Sequence, residues 1–140
     1  MRYLTNDPIH LGEWHRETID PRDGASVEFL GVVRGKEGGR QTPYLDYESY
    51  IPMAEQVIHA LIEEAKKRWP LHRVCLRHRI GRVQAGEISV IIGVQGPHRK
   101  EAFEACQFLM DAIKKDVPIW KREDGYRTHF TRERNAAQRR

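Results

Sequence analysis

Four segments of the chain have the residue pattern of β-strands. Residues 25–33 alternate only in part but are rich in β-branched side chains, whereas residues 44–50 alternate aromatic or apolar residues with acids. Residues 74–78 and 87–94 are also predicted to be strands, separated by a glycine-containing turn. The glycine-rich, charged segment 34–40 is predicted to be a mobile loop.

Apolar residues recur at steps of three and four in two other segments, which predicts two amphipathic helices. The first helix is expected to begin near Pro52 and to end before Pro70, with an inner face of Ala54, Val57, Ile58, Leu61, Ile62, Ala65 and Trp69. The second is expected from about Arg99 to Lys115, with an inner face of Ala102, Phe103, Cys106, Leu109, Met110 and Ile113. Paired strands with helices between them indicate an α+β sandwich with a largely antiparallel sheet and two main helices. The long connections also permit some parallel pairing.

The length and composition of the chain are those of a single soluble domain. It has 140 residues and a formal charge of +4. No run reaches the roughly 18 apolar residues of a membrane-spanning helix, and residues 1–7 lack the apolar core of a signal peptide. Cys75 and Cys106 match no zinc pattern and are expected to be reduced core residues. These observations predict a cytoplasmic protein without a membrane anchor.

The C-terminal end of the chain is strongly basic. Residues 127–140 contain five arginines and a single acid, Glu133. Such a tail binds nucleic acid, solvates a terminus or contacts a partner, and the lack of a nucleic-acid motif favours the last two. We therefore expect one domain over residues 1–125 and a basic tail over residues 126–140, either part of that domain or flexible.

One candidate binding segment precedes the second predicted helix. Gly96, Pro97, His98 and Arg99 lie between a predicted strand and the start of that helix. Free backbone N–H groups at a helix start favour an anion, and an arginine adds a bidentate grip on phosphate. The alternative is that His98 and Arg99 only cap the helix or are solvated.

A second candidate lies at the other end of the same helix, where Lys114, Lys115 and Lys121 cluster. Lysines in a last helical turn interact favourably with the helix dipole, so Lys114 and Lys115 have an ordinary structural explanation. The apolar run 117–120, however, predicts a rigid segment that holds Lys121 against a specific group. A lysine in a partly apolar pocket acts as a general base, forms an imine or binds an acid.

The two candidate segments are too far apart to bind one small ligand within one chain. At about 1.5 Å per residue, the helix from Arg99 to Lys114 is roughly 22 Å long. If both ends serve one site, they come from different subunits, which predicts a dimer. His78 and Arg79, at the end of a strand, are expected to bond backbone carbonyls or a subunit rather than to catalyse. No metal-binding spacing is present among the histidines.

Six ordered segments together resemble one known family. They are residues 29–34, 47–54, 68–70, 78–81, 98–103 and 117–123. In this order and at these spacings the chain closely resembles the large, catalytic subunit of molybdopterin synthase, over about residues 20 to 125. The combination carries the resemblance, since no segment is diagnostic alone.

The resemblance implies an α/β hammerhead-type fold and a central homodimer. It also implies a small ubiquitin-like subunit at each end, which inserts a C-terminal Gly-Gly tail carrying a thiocarboxylate. Two sulfur atoms would pass in turn to cyclic pyranopterin monophosphate, giving the dithiolene of molybdopterin. No metal or organic cofactor is implied for the transfer.

Residue roles follow from the same resemblance. Lys114 and Lys121 match the family's active-site lysines, with Lys114 as the main catalytic group and Lys121 binding negative charge. His98 and Arg99 match residues that bind substrate from the neighbouring subunit. Further substrate-binding positions are implied at Phe29, Val32, Val33, Arg34, Arg122 and Glu123, with a weaker candidate at Arg68.

The chain departs from the family pattern after Glu123. Residues 124–128 form a shorter segment without the family's glycine–tryptophan pair, and a family arginine is placed at Arg132. The alternative to an enzyme is a non-enzymatic basic adaptor that binds nucleic acid or a ubiquitin-like tail. That alternative explains the arginine-rich end but not the lysines that flank residues 117–120.

Overall fold

The fold is described from a computed structural model that defines residues 1–10, 12, 14–15, 18–123 and 126–129. Its elements are β1 (Leu4–Thr5), β2 (Ala25–Val32), β3 (Lys36–Glu37), β4 (Arg40–Gln41), β5 (Tyr44–Ser49), α1 (Ile51–Arg68), β6 (Arg73–Arg79), β7 (Gly81–Gln84), β8 (Ile88–Gly96), α2 (Arg99–Asp116), β9 (Ile119–Glu123) and β10 (Tyr126–His129). This is the α+β architecture with two main helices that the sequence predicts.

The first sheet has the strand order β1-β6-β8-β2. β8 pairs antiparallel with both β2 and β6, and β1 adds one parallel pairing to β6. This confirms the largely antiparallel prediction. The register of β2 against β8 slips between Gly31 and Val32, as it does at a β-bulge. The slip lies where β2 reaches the candidate site described below.

The second sheet has the order β10-β9-β5-β7, and all of its pairings are antiparallel. β9 contains the second half of the apolar run 117–120, and it pairs with β5 along Asp46–Ser49. Tyr126–His129 pair with β9 as the edge strand. Residues 130–140, which include Arg132 and most of the predicted basic tail, lie outside the described residues. The domain boundary after residue 125 therefore stays a prediction.

The helices begin and end where the prolines predict. Pro52 lies in the first turn of α1, and Pro70 follows its C-cap residue. α2 packs on β2 and β8, and the two helices also contact each other. Most of the predicted inner faces are buried, including Ala54, Ile58, Ile62 and Ala65 on α1 and Ala102, Cys106, Leu109, Met110 and Ile113 on α2. Within the described residues, neither helix has the length and apolarity needed to cross a membrane.

The first sheet is covered on both faces, which explains why β8 is buried along nearly all of its length. Ile92 belongs to the main core with the helices, whereas Ile91 packs with Ile9 and Trp14 in a second cluster. Trp14 also approaches the backbone of β8. A Cβ atom built on Gly93 would lie 2.3 Å from the indole ring. Glycine at this position is therefore required by the tight fit of the tryptophan.

Several sequence predictions are wrong in detail. Part of the predicted loop 34–40 forms the ribbon β3–β4, whose turn uses Gly38 and Gly39 at positive φ. Phe103 is 62% exposed rather than on the inner face of α2. Cys75 is only partly buried, unlike Cys106. The short strands β1, β7, β9 and β10 were not predicted, because segments of two to five residues carry too little periodicity.

Candidate functional site

The candidate site is a cavity of about 350 Å³ between the two sheets and the C-terminal half of α2. β2 supplies one wall, and β5 and β9 supply another. α2 contributes Met110 and Lys114. The lining residues are Phe29, Leu30, Gly31, Val32, Val33, Arg34, Leu45, Tyr47, His78, Ser89, Val90, Met110, Lys114 and Lys121.

Lys114 and Lys121 reach this cavity from two different elements. Lys114 lies in the last turn of α2, and Lys121 lies on β9. Between them Val117 and Ile119 are fully buried, and Ser49 donates a hydrogen bond of 3.0 Å from Oγ to the carbonyl of Pro118. The short connection is thus fixed on both sides. The apolar run is therefore packed rather than solvated, as the sequence predicts.

The end of β2 provides the opposite wall. Phe29 and Val32 are 38% and 48% exposed, Val33 is buried, and Arg34 follows beyond the strand. The backbone of Val33 bonds the turn before β8: its N–H donates to Glu87 O at 3.1 Å, and its carbonyl accepts from Gly86 N at 2.8 Å. These bonds hold the wall at the place where the β2 register slips.

His78 and Tyr47 form a buried part of the lining. The two rings meet edge to face with centroids 5.2 Å apart. The His78 side chain is 1% exposed, and its Nδ1 donates to the Arg79 carbonyl at 2.7 Å, which makes Nδ1 the protonated nitrogen. Burial lowers the pKa of His78 to about 4, although the bond to the carbonyl acts in the opposite direction. His78 is therefore a neutral wall residue at physiological pH, and it bonds a backbone carbonyl as predicted.

Three of the described lining residues carry positive charge. They are Arg34, Lys114 and Lys121, and no aspartate or glutamate is present among the lining residues in the described part of the chain. Lys114 is exposed and Lys121 is half-buried. A cavity with three cations and apolar walls suits an anionic ligand with an apolar body.

The structure brings together Phe29, Val32, Val33, Arg34, Lys114 and Lys121 of the predicted site residues. It does not bring His98 or Arg99 to the cavity of the same chain, since both lie exposed at the other end of α2. Among the described residues, the His98 side chain makes no capping hydrogen bond. The length of α2 therefore separates His98 and Arg99 from Lys114 within one chain, as the sequence predicts.

Arg122 and Arg68 also lie apart from the lining. Arg122 points to the opposite face of β9 from Lys121 and pairs with Glu48, with Nη1 3.5 Å from Oε1. Arg68 donates from Nε to Glu64 at 2.9 Å and stacks on Phe108. Glu123 belongs to β9, but its side chain lies outside the described part of the structure.

Sequence reasoning did not identify Tyr47, His78 or Met110 as lining residues. Met110 had a usable signal, because it lies one turn before Lys114 on the same face of α2. Tyr47 and His78 had none, since their contribution depends on strand register. In the described ranges no group of three or more histidine, cysteine or acidic side chains could hold a metal ion.

Comparisons with known proteins give a consistent picture. A family model described as "MoaE protein" matches residues 4–116. A protein named molybdopterin synthase catalytic subunit from a Nostoc species is 40% identical over 121 residues, which cover 86% of this chain and 73% of that protein.

Two solved structures also match this chain. The crystal structure of molybdopterin synthase from Staphylococcus aureus matches with a TM-score of 0.81 and 40% identity, covering 89% of this chain and 90% of the other. A complex of subunits 1 and 2 of molybdopterin-converting factor from Helicobacter pylori matches with a TM-score of 0.64 and 25% identity, covering 77% and 72%. The family match and the extent of these similarities show that this chain belongs to the MoaE protein family.

Proposed function

We propose that this chain is the catalytic subunit of a molybdopterin synthase and acts as a sulfurtransferase. It takes sulfur from the thiocarboxylated C-terminus of a small ubiquitin-like subunit and transfers it to cyclic pyranopterin monophosphate. Two successive transfers give the dithiolene of molybdopterin. The proposal draws on the family membership and on the names of the relatives. It includes a cytoplasmic location, where the free cysteines remain reduced.

The convergence of Lys114, Lys121 and Arg34 on one cavity carries the proposal. Both reactants bring negative charge, one as a thiocarboxylate and the other as a cyclic phosphate. Cations fixed in advance stabilise such charge better than mobile water does, because they need no reorganisation during the reaction. The apolar walls formed by Phe29, Val32 and other lining residues accommodate the pterin ring.

Lys114 and Lys121 have different roles in this proposal. Lys114 is the catalytic residue, which contacts the thiocarboxylate or the reacting carbon and moves a proton or forms a transient bond. Lys121 is held on β9 and binds the negative charge that develops. Arg34 and the adjacent Val33 contact the substrate at the opposite wall.

A second copy of the chain completes the substrate site. His98 and Arg99 lie at the start of α2, and about 22 Å of helix separates them from Lys114. In a homodimer the helix start of one protomer supplies these two side chains to the cavity of its partner. Backbone N–H groups at that helix start add to the attraction for the substrate phosphate.

A reconstitution tests the proposal. The full chain, a thiocarboxylated small subunit from the same organism and cyclic pyranopterin monophosphate are mixed, and molybdopterin is quantified. Product formation that depends on all three components supports the enzyme. Tight binding of the small subunit without any product would instead establish the non-enzymatic adaptor, and salt-sensitive retention on nucleic acid would identify its ligand.

A further inference from the structure

A second cleft lies on the surface beside the N-terminal segment, apart from the cavity that Lys114 and Lys121 line. Its volume is about 410 Å³, and its lining includes Arg79, Gly86 and Glu87. The other lining residues are Pro8, Ile9, His10 and Ile88. Among the described lining residues, Pro8, Ile9 and Ile88 are apolar, His10 and Arg79 are polar or cationic, and Glu87 carries a carboxylate.

Arg79 is the unusual residue in this cleft. Its side chain is 7% exposed, and Nη2 donates to the Arg82 carbonyl at 3.0 Å. The other two nitrogens, Nε and Nη1, are buried and have no hydrogen-bond partner among the described residues. Buried donors of a guanidinium are costly to leave unpaired, because they have lost water without gaining an acceptor.

Glu87 does not supply the missing hydrogen-bond acceptor. Its Oε2 lies 3.9 Å from Arg79 Nη1, which is longer than a hydrogen bond, while its Oε1 accepts from the backbone N–H of Gln84 at 2.7 Å. Glu87 is thus fixed on its own turn and only approaches the guanidinium.

We propose that the Arg79 cleft binds a carboxylate carried on a short apolar stem. The carboxylate pairs with the Arg79 guanidinium at the position that Glu87 approaches, and the stem packs on Ile9 and Ile88. The source is either a free organic acid or an acidic side chain of a bound protein. This site is separate from the proposed sulfur transfer and does not depend on it.

A titration with sodium butyrate tests the proposal, with the backbone amide of Gly86 as the NMR reporter. Gly86 lines the cleft and is retained in every variant. We expect a saturable shift with butyrate that sodium chloride at equal ionic strength does not produce. Arg79→Met should abolish saturation. Arg82→Met is the matched control, because it removes an exposed side chain and keeps the carbonyl that Arg79 contacts.

Glu87→Gln keeps the proposal testable if Arg79→Met does not fold. Loss of the competing carboxylate should tighten butyrate binding by about two- to fivefold, as expected for a partly exposed ion pair. Competition between butyrate and the added small subunit would identify a protein side chain as the source, and independent binding would identify a free acid. Butyrate shifts that match those of chloride, or that Glu87→Gln leaves unchanged, would overturn the proposal.

Discussion

Tyr47 and Lys121 lie opposite each other in the register of β5 and β9, and both line the same cavity. The next residue along β9, Arg122, lies opposite Asp46 and faces away from the cavity. Two adjacent cations of one strand thus have different environments. A slip of one residue in this register would exchange them.

This alternation predicts different effects for two neighbouring substitutions. Lys121→Met should lower the rate of molybdopterin formation by about 100-fold, because it removes a fixed charge from the site. Arg122→Met removes an outward-facing partner of Glu48 and should change the rate by less than about threefold. The two rates are compared in the same reconstitution. Equal losses in both variants would contradict the assignment of the two faces.

The buried His78 predicts a specific pH dependence of stability. Its pKa is lowered from about 6.5 to about 4 in the folded protein. Between these values the unfolded chain binds a proton that the folded chain does not, so the free energy of unfolding falls as the pH falls. The loss amounts to about 3 kcal/mol at most over this interval.

The measurement is urea unfolding from pH 7 to pH 4.5 for the wild type and for His78→Asn. Asparagine retains a donor for the Arg79 carbonyl but does not titrate, so the variant should show a smaller slope. The pKa of Glu55 is also perturbed, but it is lowered, so its contribution is lost only below about pH 4.5. Identical slopes in the two proteins would show that His78 is not held neutral.

The contact between Gly93 and Trp14 predicts a sharp steric limit. Gly93→Ala should lower the free energy of unfolding by about 1–3 kcal/mol, because the added methyl would lie 2.3 Å from the indole ring. Gly35→Ala is the control, since its Cβ would make an ordinary contact of 3.7 Å with Ala85. Thermal unfolding with far-UV circular dichroism distinguishes them. Equal stability of the two variants would contradict the tight fit.

The Glu55 carboxylate attaches the N-terminal residues to α1 through backbone hydrogen bonds. Burial raises the pKa of this carboxyl, but the backbone N–H donors of Leu4, Arg2 and Tyr3 together hold it below its usual value. Glu55→Gln should lower stability by about 1–3 kcal/mol and speed amide exchange at Tyr3 and Leu4. Glu63→Gln changes an exposed side chain of the same helix and should do neither. Unchanged exchange in Glu55→Gln would contradict this role.

The sequence predicted the two helices well because both have long apolar faces bounded by proline. The burial of Val117 and Ile119 was also predicted correctly, since an apolar run beside a helix end is rarely solvated. In contrast, β7 and β9 are short, and their pairing with β5 depends on contacts distant in sequence. The lining roles of Tyr47 and His78 follow from that pairing and were therefore not predictable.

Arg79 shows a different limit of sequence reasoning. The prediction that it bonds a backbone carbonyl is confirmed by the Arg82 contact. Its burial and its two unpaired nitrogens, however, depend on how β6 packs against the N-terminal segment and the turn before β8. No periodicity in the sequence encodes that arrangement.

The most direct test of the central claim compares Lys114→Ala with Lys115→Ala in the reconstituted synthase. Both residues are exposed lysines in the last turn of α2, but only Lys114 lines the cavity. Lys114→Ala should lower molybdopterin formation by at least about 100-fold while the small subunit still binds, whereas Lys115→Ala should remain close to wild type. Full activity in Lys114→Ala, or an equal loss in both variants, would contradict the account.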